Sequence, residues 1–321
     1  MNIALINPFN QQKLSVQKDL LTDHQNNHFP KIRGAYRFVE SDNYTQSFGY
    51  QWNKFQKTQI DRFSPSPQSR DRFFAVTGWE PESLAGKNML EVGSGAGRFT
   101  HVVLEHTQAN LYSVDYSDAV EANHQNNGHY GERLNLFQAS IYAMPFAPKS
   151  FDRVFCFGVL QHTPDFKKSV QSLIEMVKPG GELVVDFYPI RGWWTKIHAK
   201  YLLRPWTRRL NHERLLYLID RHADRLIKLY DRIDRLKIAK FVNRFIPVCD
   251  IKNTLPPDLS PEQRREWVVL DTFDMFSPRY DQPQRLSRVK KWFEAYGMQQ
   301  VQADYVQFGH GQRVARVKGV K

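Results

Sequence analysis

One stretch, Leu90-Glu91-Val92-Gly93-Ser94-Gly95-Ala96-Gly97, constrains the fold of this chain more than any other. Asn88–Val92 is a short apolar run that reads as a strand, and Arg98–His106 reads as a helix. The glycines therefore occupy a strand-to-helix turn, where the missing Cβ permits positive φ and lets backbone approach a ligand closely. Leu111–Asp115 reads as the next strand, with an acid at its tip. A carboxylate there can accept hydrogen bonds from two ribose hydroxyls. Dinucleotide-binding turns share this plan, and two details separate the readings. The third glycine is Gly97, and Arg98 stands where the dinucleotide spacing needs glycine. Glu91, if ionised beside the loop, is a poor neighbour for a pyrophosphate and a good one for a cationic amino or sulfonium group.

The alternation continues beyond the loop. A helix is expected near Ala119–Gln125, a third strand at Leu134–Ala139, a fourth at Arg153–Val159, a helix at Asp165–Val177 and a fifth strand at Glu182–Phe187. Short connections between such units predict a mostly parallel sheet with helices on both faces. Arg214–Phe245 then reads as one long helix, with apolar residues at Leu215, Ile219, Ala223, Leu226, Tyr230 and Ile233 and, less regularly, Leu236. A helix at Arg285–Tyr296 and strands near Val301–Val306 and Val314–Val317 complete the pattern, the last strand antiparallel. The expected organisation is an N-terminal segment over 1–70, a ligand-binding core over 71–188, a helical insertion over 189–280 and a closing helix–hairpin over 281–321.

Charge is concentrated in that insertion. The 321 residues carry a net charge of +12, and Tyr188–Asp250 holds 15 Lys and Arg against 6 Asp and Glu. The remainder of the chain accounts for only +3. A hydrophobic fraction of 41% excludes wholesale disorder. No uninterrupted apolar run reaches the roughly 18 residues of a membrane span. The opening MNIALINPFN lacks the basic flank and apolar length of a secretory signal, so the expected location is cytoplasmic. Cys156 and Cys249 form neither a disulfide framework nor a metal cluster, and no metal site is expected.

Five motifs in order now carry a resemblance: Glu91–Gly97, Asp115, Gln138-Ala139-Ser140-Ile141, Phe151-Asp152-Arg153-Val154 with Gly158-Val159-Leu160-Gln161-His162, and Lys178-Pro179-Gly180-Gly181. Over about Asn88–Tyr188 and the final 40 residues the sequence resembles class I S-adenosylmethionine-dependent methyltransferases. The resemblance implies a Rossmann-like α/β fold with S-adenosylmethionine as cofactor. It implies cofactor contacts from Glu91, Gly93, Ser94 and Gly95, a ribose-binding acid at Asp115, a segment beside the adenine at Ser140 and Ile141, and further cofactor contacts from Tyr116 and Phe157. The family often has Asp at the position of Ser140, whose hydroxyl can still accept a bond. Phe29–Val39 resembles the end of a zinc-ribbon-like module that precedes some bacterial methyltransferases, here without its cysteines. Asn43–Trp52 resembles a stretch preceding the cofactor domain in methyltransferases of surface-polysaccharide and secondary-metabolite clusters. Tyr44, Phe48 and Gln51 would by that resemblance close over the cofactor; packing of a helix on the sheet is the alternative.

Methyl transfer from a sulfonium needs alignment and exclusion of water, and a base only where the acceptor must lose a proton early. His162, in the loop after the fourth strand, is the candidate base, with a structural hydrogen bond as its other reading. Asp271, Asp274 and Tyr280 are further candidates to line an acceptor pocket, whereas His310 sits in a hairpin turn. The basic insertion is read first as a lid over the acceptor side. A peripheral membrane surface is the second reading, and RNA phosphates are the weakest, since aromatics are not interleaved with the basic run. The expected acceptor is a small molecule or glycan, phosphorylated or lipid-linked in some versions. An RNA methyltransferase and a non-catalytic binding protein on the same fold are the alternatives.

Overall fold

The computed structural model describes residues 3–39, 43–236 and 239–321. The chain opens with a small antiparallel meander, β1 (Ser15–Gln17), β2 (Leu20–Thr22), β3 (His28–Ile32) and β4 (Ala35–Arg37). Asp23 holds its loops together, accepting from the backbone of Gln25 and Asn27 and from the side-chain amides of Asn7, Asn10 and Asn27. Two helices follow, α1 (Gln46–Lys54) and α2 (Gln68–Thr77).

The core then alternates as β5 (Asn88–Val92), α3 (Arg98–His106), β6 (Asn110–Asp115), α4 (Val120–Asn127), β7 (Leu134–Gln138), β8 (Phe151–Phe157), α5 (Phe166–Met176) and β9 (Val177–Phe187). Between β9 and the final hairpin the described residues form the α-helices α6 (Ala199–Thr207), α7 (His212–Asp234), α8 (Ala239–Val242), α9 (Ile251–Thr254), α10 (Pro261–Phe276) and α11 (Leu286–Ala295). β10 (Gln299–Phe308) and β11 (Gln312–Val320) close the chain.

The strands form one sheet in the order β1-β2-β3-β4-β7-β6-β5-β8-β9-β11-β10. From β4 to β9 neighbouring strands are parallel, and β11 runs antiparallel to β9 with β10 outside it. Strand alternation sends Leu90 and Val92 to one face, beneath α5 and α11, and Met89 and Glu91 to the other, beneath α2 and α3. Order reverses at β5, with β6 on one side and β8 on the other, so the carboxyl ends of these strands open a crevice where ligands bind in such sheets.

Three features depart from the expectations. The N-terminal meander is continuous with the core sheet, because β4 pairs in parallel with β7 and Arg37 reaches Gln138 at 2.8 Å. Lys178–Gly181 lies within β9 beside a register shift, a bulge rather than a turn before the strand. The long helix expected to run to Phe245 ends at Asp234. Its buried stripe of Leu215, Ile219, Ala223, Ile227 and Tyr230 packs on α10, but Leu236 falls off that stripe and stands 53% exposed. With no apolar face to bury, the helix gains nothing by continuing. Among the described residues no helix is long and apolar enough to cross a membrane.

Candidate active site

The loop after β5 is pinned by Gly93 N–H and Ser94 N–H, both donating to the Val114 carbonyl at the end of β6. Gly93 takes φ +84°, and a Cβ there would come 2.2 Å from a Val159 methyl, so only glycine lets the two loops meet. Gly95, at φ +53°, lies under Trp52 of α1, whose Nε1 would be 3.0 Å from an added Cβ. Gly95 N–H donates to Asp115 Oδ2 at 2.8 Å, while Ser117 N–H and Oγ donate to Oδ1 at 2.8 and 2.6 Å. The carboxylate is thereby fixed at the tip of β6, and Oδ2 keeps a lone pair for a ligand hydroxyl. Burial raises the Asp115 carboxyl, with the Ser117 and Gly95 hydrogen bonds opposing it.

A cavity of about 710 Å³ opens over this loop. Its wall includes Gly93, Ser94, Gly95, Asp115, Tyr116, Ile141 and Phe157, together with Tyr44, Phe48, Gln51 and His162. Tyr44 packs against the rings of Tyr116 and Tyr280 at 5.2 and 5.5 Å, and Phe48 against His162 at 5.1 Å. Helix α1 thus roofs the loop.

Two residues expected to touch a ligand do not line this cavity. Glu91 is 2% exposed and belongs to the Met89 face of β5, so it points beneath α3, where it accepts from the hydroxyls of Thr100 and Ser113. Ser140 Oγ accepts the Tyr142 N–H at 3.2 Å, while its neighbours Ala139 and Ile141 take the cavity wall.

Burial pushes the Glu91 carboxyl up to about 7, against the Thr100 and Ser113 hydrogen bonds. The folded state therefore holds this proton more tightly than the unfolded chain, with its ordinary value of 4.5. Stability falls as pH rises between those values, and Asp271, raised to about 7 by burial and by Asp274, adds a slope of the same sign. Glu91→Gln keeps an acceptor for both hydroxyls and removes the charge. It is expected to stabilise the protein by on the order of 3 kcal/mol at about pH 8 and by little at about pH 4. Thermal melts across that range check this; a wild-type slope in the variant overturns it.

The far wall comes from α2, α3, β9 and the inserted helices. His162 is 5% exposed, and its Nδ1 lies 3.0 Å from the Tyr280 carbonyl. A carbonyl only accepts, so Nδ1 carries the proton and Nε2 presents its lone pair, with no partner among the described residues. Burial pulls the His162 pKa below its ordinary value, which keeps the ring neutral. Asp271 accepts from Gln59 at 3.0 Å, and Asp274 accepts from the Tyr188 hydroxyl at 3.3 Å. Tyr280 contributes its carbonyl, and His310 lies 3.7 Å from Asp258 in the hairpin turn.

Sequence reasoning missed Trp52, Arg72, Arg98, Tyr188 and Lys200, all in the cavity wall. Arg98 had left a signal, as the residue breaking the dinucleotide spacing. It donates to Ser69 Oγ at 2.8 Å and Gln59 Oε1 at 3.1 Å, and burial brings its pKa down to about 10. Arg72 pairs with Asp186 at 2.6 Å, and Asp186 also accepts the Gly158 N–H. Lys200 pairs with Asp281 at 2.6 Å and lies 4.6 Å over the Tyr188 ring.

The cavity wall offers polar groups that a ligand could complete. Ser94 Oγ, Gln51 Oε1 and His162 Nε2 are buried atoms of its wall without partners among the described residues. Unpaired polar atoms at such depth are costly unless a ligand or water completes them.

A family model described as a methyltransferase domain matches residues 90–185. A tRNA U34 carboxymethyltransferase of Nautilia profundicola is 29% identical over 111 residues, which cover 34% of this chain and 37% of that protein. A ubiquinone biosynthesis O-methyltransferase of Pseudomonas entomophila is 32% identical over 131 residues, 39% of this chain and 56% of that protein. The chain thus spans well under two thirds of the length of the curated relatives it matches. Among solved structures, an Aquifex aeolicus SAM-dependent methyltransferase superposes with a TM-score of 0.42 at 13% identity, covering 82% of this chain and 96% of its own. The glycine turn, the acid that answers it from β6 and the matched family model make residues 90–185 a class I S-adenosylmethionine-dependent methyltransferase domain, with S-adenosylmethionine as its cofactor.

Proposed function

We propose that the protein methylates a small-molecule acceptor inside the cavity described above. The observation that carries this reading is His162 Nε2, an unprotonated, unpartnered nitrogen in the same cavity wall as Asp115 and the glycine loop. S-adenosylmethionine, when bound, supplies a methyl group activated by its sulfonium. Asp115 would hold the ribose hydroxyls, and the backbone of Gly93–Ala96 would run alongside the methionine part. Tyr44, Phe48, Gln51 and Trp52 would cover the ligand and keep water out, which matters because displacement at a methyl carbon depends on alignment in a dry site. His162 would take the acceptor proton at Nε2, while the Tyr280 carbonyl holds Nδ1–H and stabilises the charge that develops on the ring. An oxygen acceptor suits this arrangement, since an alcohol or phenol must lose its proton as the new bond forms.

The size of the cavity favours a small acceptor, because about 710 Å³ falls within the ~300–1,000 Å³ typical of small-molecule sites. The RNA reading draws on the tRNA-modifying relatives and on the basic insertion. Against it, the acceptor side is lined by Asp271 and Asp274 of α10 and by Tyr188, just after β9, two of them acids. Methyl-labelled S-adenosylmethionine, incubated with the protein and separated small-metabolite and RNA fractions of a bacterial extract, tests the choice. Label is expected in the solvent-extractable metabolite fraction. Label confined to acid-precipitable RNA overturns the acceptor class. No transfer to any fraction by protein that binds the cofactor supports a non-catalytic binding role.

A further inference from the structure

Apolar side chains among the described residues are exposed most densely between Trp193 and Phe245. Among the described residues, 11 of the 17 large apolar side chains that stand exposed fall in this stretch, and the others are scattered singly. Trp193 is 80% exposed, Phe241 69% and Trp206 66%. These residues form connected groups. An Arg244 guanidinium N–H donates to the Trp194 carbonyl, which ties the Trp193–Lys196 turn to the Asn243–Phe245 turn. Phe241 and Phe245 meet edge to face at 5.5 Å, as do Trp193 and Trp194 at 6.1 Å. Leu202 and Trp206, four residues apart, share one side of α6.

The charges on α7 are sorted in a way that composition does not reveal. Four of its five acids are paired across helices: Asp231 with Arg264 of α10 at 2.6 Å, Asp220 and Asp224 with Arg265 of α10 at 2.9 and 3.1 Å, and Asp234 with Lys252 of α9 at 2.9 Å. Arg214, Arg221, Arg225, Lys228 and Arg232 are exposed and have no ion pair among the described residues. At about 100° per residue, Leu218 and Leu229 fall within roughly 20° of each other, at the margin of this basic stripe, with Leu236 at its end. The helix therefore presents unneutralised cations and leucines side by side.

We propose that this face docks on an anionic lipid bilayer, with Trp193, Trp206, Phe241 and Phe245 in the interface and the α7 cations on the headgroups. Aromatic rings and a basic amphipathic helix are what such a surface binds, through apolar burial added to attraction for anionic lipid. A second copy of the chain is disfavoured as the occupant, since a two-fold contact would set this cationic stripe against itself. Nucleic acid would satisfy the cations and leave the exposed tryptophans and leucines in water. Arg191, Trp194 and Arg244 also line the cavity, so the docked face carries one side of its mouth. An acceptor held in the leaflet would then enter directly; that last clause rests on the methyltransferase reading, whereas the docking does not.

Flotation of the full chain with vesicles tests it. The protein is expected to float with vesicles containing about a third phosphatidylglycerol and not with pure phosphatidylcholine, and to be released by salt. Arg221→Gln/Arg225→Gln/Lys228→Gln should weaken partitioning roughly a hundredfold, and Trp193→Ser/Phe241→Ser about tenfold. None of these side chains lines the cavity, and unchanged binding of S-adenosylhomocysteine by calorimetry confirms that the variants are folded. Failure to float with anionic vesicles overturns the proposal, as does partitioning that the variants leave unchanged. It is equally overturned if the same substitutions convert a solution dimer to monomers, or abolish binding to bulk tRNA while vesicles do not bind.

Discussion

Asp115→Ala is expected to weaken the binding of S-adenosylmethionine and S-adenosylhomocysteine about a hundredfold in calorimetry. Hydrogen bonds to a charged acceptor contribute about 1.5–3 kcal/mol each when buried, so losing the ribose contacts alone gives that scale. The substitution also frees Gly95 N–H and Ser117, which the carboxylate now holds at 2.8 and 2.6 Å. Part of the loss would therefore come from a loop that no longer keeps its shape. Asp115→Asn is the milder change. Its one amide oxygen can still accept from Gly95 or from Ser117, while the NH2 that replaces the other oxygen cannot, so a smaller drop of about tenfold is expected. Affinity within threefold of wild type for a folded Asp115→Ala protein would remove this residue from the cofactor site.

What the sequence disclosed and what it hid divide along contact range. The β5–α3 turn, Asp115 and the alternation through β9 were legible because each is a local signal: apolar runs of strand length, glycines where backbone must turn, an acid at a strand tip. Glu91 was legible in principle. Alternation along Asn88–Val92 sets it on the Met89 face, under α3, while the leucine and valine beside it face α5. Reading the loop as a string of ligand contacts overrode that periodicity. Ser140 failed for a similar reason, since its hydroxyl serves the next turn of backbone.

Arg72, Trp52 and Lys200 could not have been assigned locally. They reach the cavity from α2, α1 and α6, elements whose positions depend on contacts between residues far apart in sequence, such as Arg72 with Asp186 and Lys200 with Asp281. The same holds for β4, whose pairing with β7 joins residues about a hundred positions apart. The charge count located the basic segment but could not sort it. Only the packing of α7 against α9 and α10 reveals that four of its acids are paired across helices while its exposed cations are not.

That long-range packing also makes the second large effect testable. His162 is set by Tyr280, 118 residues away, and by contact with the rings of Phe48 and Tyr188. His162→Gln is expected to lower kcat by about 10²–10³, the usual contribution of a positioned base, with cofactor affinity unchanged. The pH profile is the more discriminating measurement. Burial lowers the pKa of His162 from 6.5, so wild-type activity should fall only on acidification below that value, as the ring gains a proton at Nε2. In His162→Gln that acid limb should disappear. Stability changes in the same direction for the same reason: the folded state binds this proton more weakly than the unfolded chain, so stability is lost as pH drops through the window below 6.5. A merely structural histidine would contribute the stability effect alone. A variant that keeps kcat within threefold and keeps the acid limb of the rate profile would assign His162 to the architecture, and the acceptor would then have to give up its proton to water or to Asp274 through Tyr188.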